Sequence, residues 1–340
     1  MMRRVLGEMY GAAAWRRRRW YADHPEARRQ LRRPVISVGA LRMGGSGKTP
    51  LSAHLARMLL AMGERPAVLS RGYGRVEAPD GVVVVREAGR IVGRLQTAGD
   101  EPWMLAQSLD GVAVVVCPDR YLAGRLAETH LGATVHVLDD GFQHLALQRG
   151  TDLLVASPAD LEAEVVPAGP LRERLSTACC ADALVVVGDS DAAQQAMSQR
   201  LGVSPCFGAR RRLGAPVVRA PRATRGEVER GASVFAVAGI AGPERFFDDL
   251  REAGFLLRGT RVFRDHHPYS PRDVARLVDA ARVVGAEVIV TTEKDAVRLE
   301  SMLPLPLPLA TVGLVVEVQP ADAFHAFVAE RLAVERSTAA

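Results

Sequence analysis

The chain has 340 residues, of which 48% are apolar and 24% charged, and its net charge is +5 at pH 7. This length and balance suit two α/β domains and exclude a disordered or fibrous chain. The four cysteines lack C-x-x-C spacing and no secretory leader is visible, so we expect a reducing cytoplasm, no disulfides and no structural zinc.

Basic charge is concentrated in an N-terminal arm, residues 1–33. Ten arginines there outweigh three acidic residues, so the arm carries +7 and the rest of the chain −2. Trp15 and Trp20 lie among the arginines, a combination that suits the boundary of an anionic membrane. The apolar part, 10–15, is too short to span a bilayer. A solvated helix face or a nucleic-acid arm is the alternative; we favour the membrane surface and expect no nucleic-acid partner.

Residues 35–50 contain the most specific motif of the chain. The apolar run 35–40 predicts a buried strand, and the glycine-rich stretch after it ends in Lys48 and Thr49 at a predicted helix start. Such a strand, loop and helix predict a phosphate-binding site, with backbone N–H groups and the lysine ammonium on phosphate and the threonine hydroxyl on Mg²⁺. The loop residues predicted to contact the nucleotide are Arg42, Met43, Gly44, Gly45, Ser46, Gly47, Lys48 and Thr49.

The loop departs from the strict phosphate-binding pattern at one position. Arg42 stands where that pattern has its first glycine, so a chance loop is the alternative interpretation. Lysine usage favours the functional one, because Lys48 and Lys294 are the only lysines among 44 basic residues. A chain that uses arginine elsewhere retains lysine where a compact ammonium is needed.

A first pair of carboxylates, Asp100 and Glu101, stands at the start of the helix predicted over 102–109. The Glu-Pro order after Asp100 is typical of a helix start, so Asp100 is equally consistent with a helix cap and with a catalytic carboxylate. The residues alone leave this choice open.

A second pair, Asp139 and Asp140, ends the strand predicted over 134–138 and leads to His144. Carboxylates at the carboxyl end of a strand, downstream of a phosphate loop, predict a Mg²⁺ site. An ordinary Asp-Gly turn is the alternative. Further on, a rigid proline-containing turn presents Arg172 and Glu173 at the start of another helix.

Strands and helices alternate from residue 34 to 202, which predicts a doubly wound, mostly parallel α/β sheet. Residues 203–232 contain arginines and prolines without helical periodicity and predict a β-hairpin-like linker. Residues 233–340 predict a smaller α/β domain. In it, His266 lies in an Asp-His-His loop just after a strand, where an imidazole is able to relay a proton or orient a carboxylate.

Taken together, the motifs resemble the tetraacyldisaccharide 4'-kinase family, the inner-membrane kinases of lipid A biosynthesis. The resemblance covers roughly residues 1–300 and is specific through the combination and order of its motifs. Family loops usually have Gly-Asn and Thr where this chain has Gly39-Ala40 and Ser46. The motifs are residues 37–50, 70–75, 99–102, 139–144, 167–173, 263–266 and 291–295.

The resemblance implies a two-domain P-loop fold with a β linker, ATP and Mg²⁺ as cofactors, and phosphorylation of the 4'-hydroxyl of tetraacyldisaccharide 1-phosphate. It implies that Lys48 holds phosphate, that Thr49 and Asp139 bind Mg²⁺, and that Asp100 is the base for the sugar hydroxyl. His266 is implied to orient Asp100. The additional residues expected at the metal, phosphate or nucleotide are Glu101, Asp140, Arg172 and Glu173.

These expectations place the protein as a monomer at the cytoplasmic face of the bacterial inner membrane, attached peripherally through its N-terminal arm. Two other classes remain as alternatives. A deviant-Walker ATPase shares the Gly-Gly-x-Gly-Lys-Thr loop but begins it with lysine, where this chain has Met43. A GTPase switch protein needs a base-reading motif, and in 292–295 the lysine is out of register for it.

Overall fold

A computed structural model describes residues 1–188, 190–219 and 226–339. The helices are α1 (Met2–Asp23), α2 (Lys48–Ala61), α3 (Leu95–Ala98), α4 (Asp100–Ser108), α5 (Arg120–His130), α6 (Asp191–Leu201), α7 (Pro243–Glu252), α8 (Pro271–Val283), α9 (Glu293–Leu299) and α10 (Ala321–Ala339). The strands are β1 (Val35–Ala40), β2 (Pro66–Ser70), β3 (Val83–Arg86), β4 (Ala113–Val116), β5 (Val135–Asp139), β6 (Thr151–Ala156), β7 (Ala183–Val187), β8 (Cys206–Leu213), β9 (Val217–Arg219), β10 (Ser233–Ala238), β11 (Leu256–Val262), β12 (Val288–Thr292), β13 (Leu309–Val312) and β14 (Leu314–Gln319).

The chain divides into two compact units. The first contains residues 1–211 and 316–340, and the second contains residues 212–315. The first unit is therefore made from both ends of the chain, whereas the second is continuous.

The first unit is built on a sheet with the strand order β14-β8-β7-β6-β1-β5-β2-β4-β3. Strand β1 pairs in parallel with β5 and β6, and β3 pairs antiparallel with β4. All six residues of β1 are buried, as expected of a central parallel strand covered on both faces. The order reverses at β1, so the loop after β1 lies at the switch point where such sheets bind ligands. The predicted doubly wound α/β fold is confirmed.

The largest core of the first unit lies between the sheet and helices α2, α4 and α10. Leu55 of α2 and Leu105 of α4 pack there with three residues of α10, namely Phe324, Val328 and Leu332. Near the end of α10, the Glu335 carboxylate accepts a hydrogen bond from the Val35 N–H at 3.1 Å, at the start of β1. The C-terminal helix is thus part of the first core.

The second unit has a five-stranded sheet in the order β11-β10-β12-β13-β9. Its strands pair in parallel except that β9 pairs antiparallel with β13. Helix α7 contributes Phe246 and Leu250 to the core on one face, and α8 contributes Leu277 and Val278 to the other.

The observed units differ from the predicted domain boundaries in two respects. Strands β8 and β9, predicted to form a hairpin-like linker over 203–232, do not pair in the described part of it: β8 joins β7 in the first sheet and β9 joins the second sheet. Residues 220–225 of that linker lie outside the described residues. Helix α10, predicted within the domain 233–340, packs in the first unit because its apolar face completes that core.

Helix α1 covers most of the predicted basic arm, and both of its tryptophans are exposed. Across the described ranges, no helix combines the length and the apolar character needed to cross a membrane.

Candidate active site

The loop between β1 and α2 has the backbone of a phosphate cradle. Gly44, Gly45 and Gly47 have φ values of 63°, 60° and 84°, a region that residues with a Cβ rarely adopt. Helix α2 begins at Lys48 with Gly47 as its N-cap, so its unpaired N–H groups face the loop. This geometry fits the triphosphate of a nucleotide at the positive end of the helix dipole.

Arg42 and Met43 anchor the start of this loop. The Arg42 guanidinium forms an ion pair with Asp160 and donates to the Ala159 carbonyl at 3.1 Å. The Met43 N–H donates to the Pro170 carbonyl at 2.9 Å, while its side chain is 54% exposed. The arginine that replaces the pattern glycine therefore has a local role in holding the loop.

Lys48 is buried at the first position of α2. Its ammonium donates to the Ser46 hydroxyl at 2.9 Å and lies 3.6 Å from an Asp140 carboxylate oxygen. Because an ammonium has three donors, further acceptors such as phosphate oxygens suit this group.

Asp139 ends β5, the strand beside β1, and is fully buried. Its carboxylate accepts hydrogen bonds from the Ser52 hydroxyl at 2.9 Å and from the Thr49 hydroxyl at 3.4 Å. Burial, with the negative charges of Glu101 and Asp140, raises the pKa of Asp139 to about 7, although Ser52 and Lys48 oppose this shift. Burial thus makes the ionised form of Asp139 unfavourable. A divalent cation bound by this carboxylate and the neighbouring loop threonine would favour the ionised form again.

Asp140 sits in a tight turn with φ 59°. Both of its oxygens accept hydrogen bonds from the Arg172 guanidinium, at 2.8 and 2.6 Å. Burial would raise the pKa of Asp140, but these hydrogen bonds and the charge of Lys48 hold it below its usual range. Asp140 is therefore both part of the predicted Asp-Gly turn and part of the predicted site at the end of β5. Its ion pair brings Arg172 to the same site.

The carboxylates of the helix α4 start are also in the first unit. Helix α4 begins at Asp100, which is 3% exposed, and its N-cap is Gly99 with φ 85°. Asp100 is thus the first residue of the helix and not its N-cap, and its buried side chain lies in the first turn. Glu101, the next residue, is close enough to Asp139 to influence its pKa.

Glu173 was expected at the metal, phosphate or nucleotide, but the structure pairs its carboxylate with an arginine of α1. Both of its carboxylate oxygens accept from Arg18 of α1 at 2.9 Å, and the two side chains are only 5% and 7% exposed. The Arg18 guanidinium also lies over the Phe142 ring, 4.2 Å from its centroid. Because both oxygens are engaged in this pair, Glu173 joins helix α1 to the body of the first unit.

His266 lies in the second unit, in the loop after β11. It has φ 59°, and Arg298 of α9 donates to its carbonyl oxygen. Its ring nitrogen Nε2 is 3.2 Å from the Lys294 ammonium, and its Nδ1 is 3.4 Å from the Arg298 guanidinium. The pairing of His266 with Asp100 remains a prediction.

Two further residues lie at the site although the sequence did not predict them there. Ser52 lies one turn after Thr49 on α2, a spacing that places both on the face toward Asp139. Arg120 begins α5 just beyond β4, and it is buried. Burial and the charge of Arg71 lower the pKa of Arg120 to about 10, so it remains a cation at neutral pH. Its position just after a parallel strand is the sequence feature that could have identified it as a site residue.

Within the parts of the chain that the structure describes, no cluster of three or more His, Cys, Asp or Glu side chains is gathered to hold a metal ion. The carboxylate and hydroxyl oxygens of Asp139 and Thr49 are the ligand types that Mg²⁺ takes together with phosphate oxygens and water.

The buried charge of Asp139 predicts a pH-dependent stability. An unfolded carboxyl ionises near 3.8 and this one near 7, so ionisation destabilises the folded nucleotide-free protein increasingly from pH 4 upward, and fully above pH 7. Asp139→Asn is therefore expected to raise Tm at pH 8 by about 5 °C and by less at pH 5. Thermal unfolding at the two pH values measures this. Asp80→Asn, on an exposed loop, is the control, and an equal gain at both pH values would contradict the assignment.

Comparisons with known proteins agree with this geometry. The family model described as LpxK, tetraacyldisaccharide-1-P 4'-kinase, matches residues 1–333. The tetraacyldisaccharide 4'-kinase of Geobacter sulfurreducens is 40% identical over 94% of this chain and 89% of the relative, and that of Desulfotalea psychrophila is 39% identical over 80% and 81%. Among solved structures, the "apo" form of LpxK from Aquifex aeolicus in complex with ATP superposes with a TM-score of 0.75 at 28% identity.

That superposition covers 96% of this chain and 98% of the Aquifex chain, so both units are included. The family match likewise runs across both units. The phosphate cradle, the buried Asp139 and the whole-chain matches lead to one conclusion: this chain belongs to the tetraacyldisaccharide-1-P 4'-kinase family.

Proposed function

We propose that this protein transfers the γ-phosphoryl group of ATP to the 4'-hydroxyl of tetraacyldisaccharide 1-phosphate, a step of lipid A biosynthesis. The observation that carries this function is the family match over residues 1–333, which includes the phosphate cradle. The names of its relatives favour a kinase over the ATPase and GTPase alternatives.

The first unit supplies the nucleotide contacts in this proposal. The loop N–H groups and Lys48 hold the β- and γ-phosphates, and Arg172 places a further cation beside them through its pair with Asp140. Thr49 and Asp139 hold Mg²⁺, with Glu101 and Asp140 next to it. When bound, Mg²⁺ neutralises the charge that builds on the phosphate oxygens. Phosphoryl transfer requires chiefly such positioning and charge stabilisation.

Asp100 is proposed as the base that accepts the proton of the attacking sugar hydroxyl. Its burial in the first turn of α4 and its neighbour Glu101, close to Asp139, support this role. His266 of the second unit is proposed to orient the Asp100 carboxylate. In this scheme transfer depends on both units, which keeps water away from the reacting phosphate.

The direct test uses radiolabelled ATP and a tetraacyldisaccharide 1-phosphate acceptor in detergent. We expect label in the lipid product, dependent on Mg²⁺, and little release of free phosphate. Label that goes to water at the same rate with and without acceptor would indicate an ATPase. A large preference for GTP in a thermal-shift assay would instead favour a GTPase.

Helix α1 is proposed to hold the protein at the cytoplasmic face of the inner membrane. Its exposed apolar residues include Met2, Met9 and Trp20, and arginines lie between them. Such a helix suits the interface of an anionic bilayer. The acyl chains of the proposed substrate lie in the same interface, and we expect one copy of the chain to suffice.

The membrane role is tested by replacing exposed arginines of α1 while sparing Arg18, which is buried. We expect Arg3→Ser/Arg16→Ser/Arg19→Ser to lose binding to anionic liposomes by about tenfold or more, since each basic residue contributes about 1 kcal/mol at such a surface. Co-sedimentation with phosphatidylglycerol vesicles measures this. The matched control replaces three exposed arginines of α8, Arg272, Arg276 and Arg282, and an equal loss there would overturn the assignment to α1.

A further inference from the structure

We infer that Lys294 is a positioning residue that fixes the proton of His266 on Nδ1. This inference deepens the proposed function, because it rests on the role proposed for His266 in the kinase reaction. It also gives a purpose to one of the chain's two lysines, the other being Lys48 in the phosphate loop.

The relevant contacts all lie within the second unit. Lys294 is in the first turn of α9, and its ammonium is 3.2 Å from Nε2 of His266 and 2.9 Å from an Asp265 carboxylate oxygen. Asp265 is itself 3.8 Å from Nε2. The side chain of Lys294 is 18% exposed, so water screens these contacts only partly.

The local framework is anchored by Asp295, the residue after Lys294. Its buried carboxylate accepts from the Gly239 N–H at 2.9 Å, from the Tyr269 hydroxyl at 3.0 Å and from the Thr292 hydroxyl at 2.8 Å. These bonds tie the first turn of α9 both to the residue that follows β10 and to the loop that carries His266. The spacing between Lys294 and the imidazole is therefore set by the fold.

The chemistry of the contact decides the tautomer. A lysine ammonium has three donors and no acceptor, so its contact with Nε2 is attractive only when that nitrogen carries a lone pair. In a neutral imidazole the other nitrogen, Nδ1, then bears the proton. Arg298 is also a donor, but it lies farther from the ring, 3.4 Å from Nδ1, and its stronger contact is with the His266 carbonyl.

This tautomer suits the proposed task. With the proton on Nδ1, the ring presents an N–H donor there, so the Arg298 guanidinium, 3.4 Å away, keeps its bond to the His266 carbonyl and does not also donate to Nδ1. Two neighbouring donors, the Nδ1–H and the guanidinium, favour an anionic oxygen, such as that of a catalytic carboxylate. Lys294 thus acts through His266 and has no direct part in the chemistry, in the way that partners behind a ligand or base orient it.

The tautomer is tested directly by NMR of the full chain labelled with ¹⁵N histidine. His266→Gln identifies the signals. We expect the neutral His266 ring of the wild type to show an unprotonated Nε2 and a protonated Nδ1. Lys294→Met is expected to shift this pattern toward protonated Nε2, whereas Lys294→Arg and the exposed control Arg282→Met retain it. A wild-type ring protonated at Nε2 would overturn the inference.

A kinetic cycle tests the consequence for catalysis. Lys294→Met is expected to lower kcat about 10- to 100-fold, with KM for ATP within about threefold, because losing an orienting partner misplaces the group it holds. In a His266→Ala background the same change is expected to have no further effect. An equal loss in both backgrounds would overturn the positioning role. A tautomer change without any loss of kcat would overturn the kinase role of His266 and leave the tautomer assignment intact.

Discussion

Replacement of Asp100 by asparagine is expected to lower kcat for transfer to the lipid acceptor by about 10² to 10⁴-fold. General-base catalysis contributes rate factors of about this size, and asparagine has a similar shape but cannot accept a proton. Because Asp100 is proposed to touch the acceptor hydroxyl and not the nucleotide, ATP binding should change by less than about threefold. Single-turnover transfer and an ATP titration measure the two effects.

The control for this variant is Asp191→Asn. Asp191 occupies the same position in α6 as Asp100 does in α4, the first residue of the helix, but it is exposed. We expect this control to retain full activity. A kcat for Asp100→Asn within a few-fold of the wild type would show that another group takes the proton.

Replacement of Arg18 by methionine is expected to destabilise the protein by about 3–5 kcal/mol. The side chains of Arg18 and Glu173 are nearly inaccessible, and removal of one partner leaves the other as an uncompensated buried charge. The variant also loses the hydrogen bond from Arg18 to the Phe142 carbonyl at 3.0 Å. A fall in Tm of about 10 °C is the corresponding thermal signal.

The double variant Arg18→Met/Glu173→Leu distinguishes the buried charge from a general packing defect. Removing both charges is expected to recover much of the lost stability, since a buried pair is often replaceable by apolar side chains. Arg16→Met, two residues away and exposed, is expected to change Tm by less than about 1 °C. No recovery in the double variant would contradict the account of Glu173 as the stranded charge.

Local signals in the sequence were sufficient for much of the fold. The apolar run before the phosphate loop and the glycines within it are determined by neighbouring residues, and the structure has a strand, a loop and a helix there. Asp139 was predictable in the same way, because a parallel strand places its carboxyl end at the ligand edge. Whether Asp100 is the N-cap of α4 or its first residue could not be decided from the sequence, and the structure places Gly99 at the N-cap.

Contacts between residues far apart in the chain could not be predicted from the sequence. Arg18 and Glu173 are separated by 155 positions, and nothing in their local patterns shows that they meet. From the sequence, Arg18 was therefore grouped with the other arginines of the predicted membrane-binding arm. The location of α10 was missed for the same reason, because an amphipathic helix does not reveal which core it covers.

The return of α10 to the first core has a consequence for protein synthesis. The Val35 N–H and the Glu335 carboxylate that meet at the foot of β1 are 300 residues apart, so the ribosome has to make nearly the whole chain before that contact exists. Domains usually fold as they emerge, the N-terminal one first. Here the continuous second unit is able to finish earlier than the unit that begins the chain. We therefore expect nascent chains that stop before α10 to have a folded second unit and an incompletely folded first unit. Proteases should cleave this form readily.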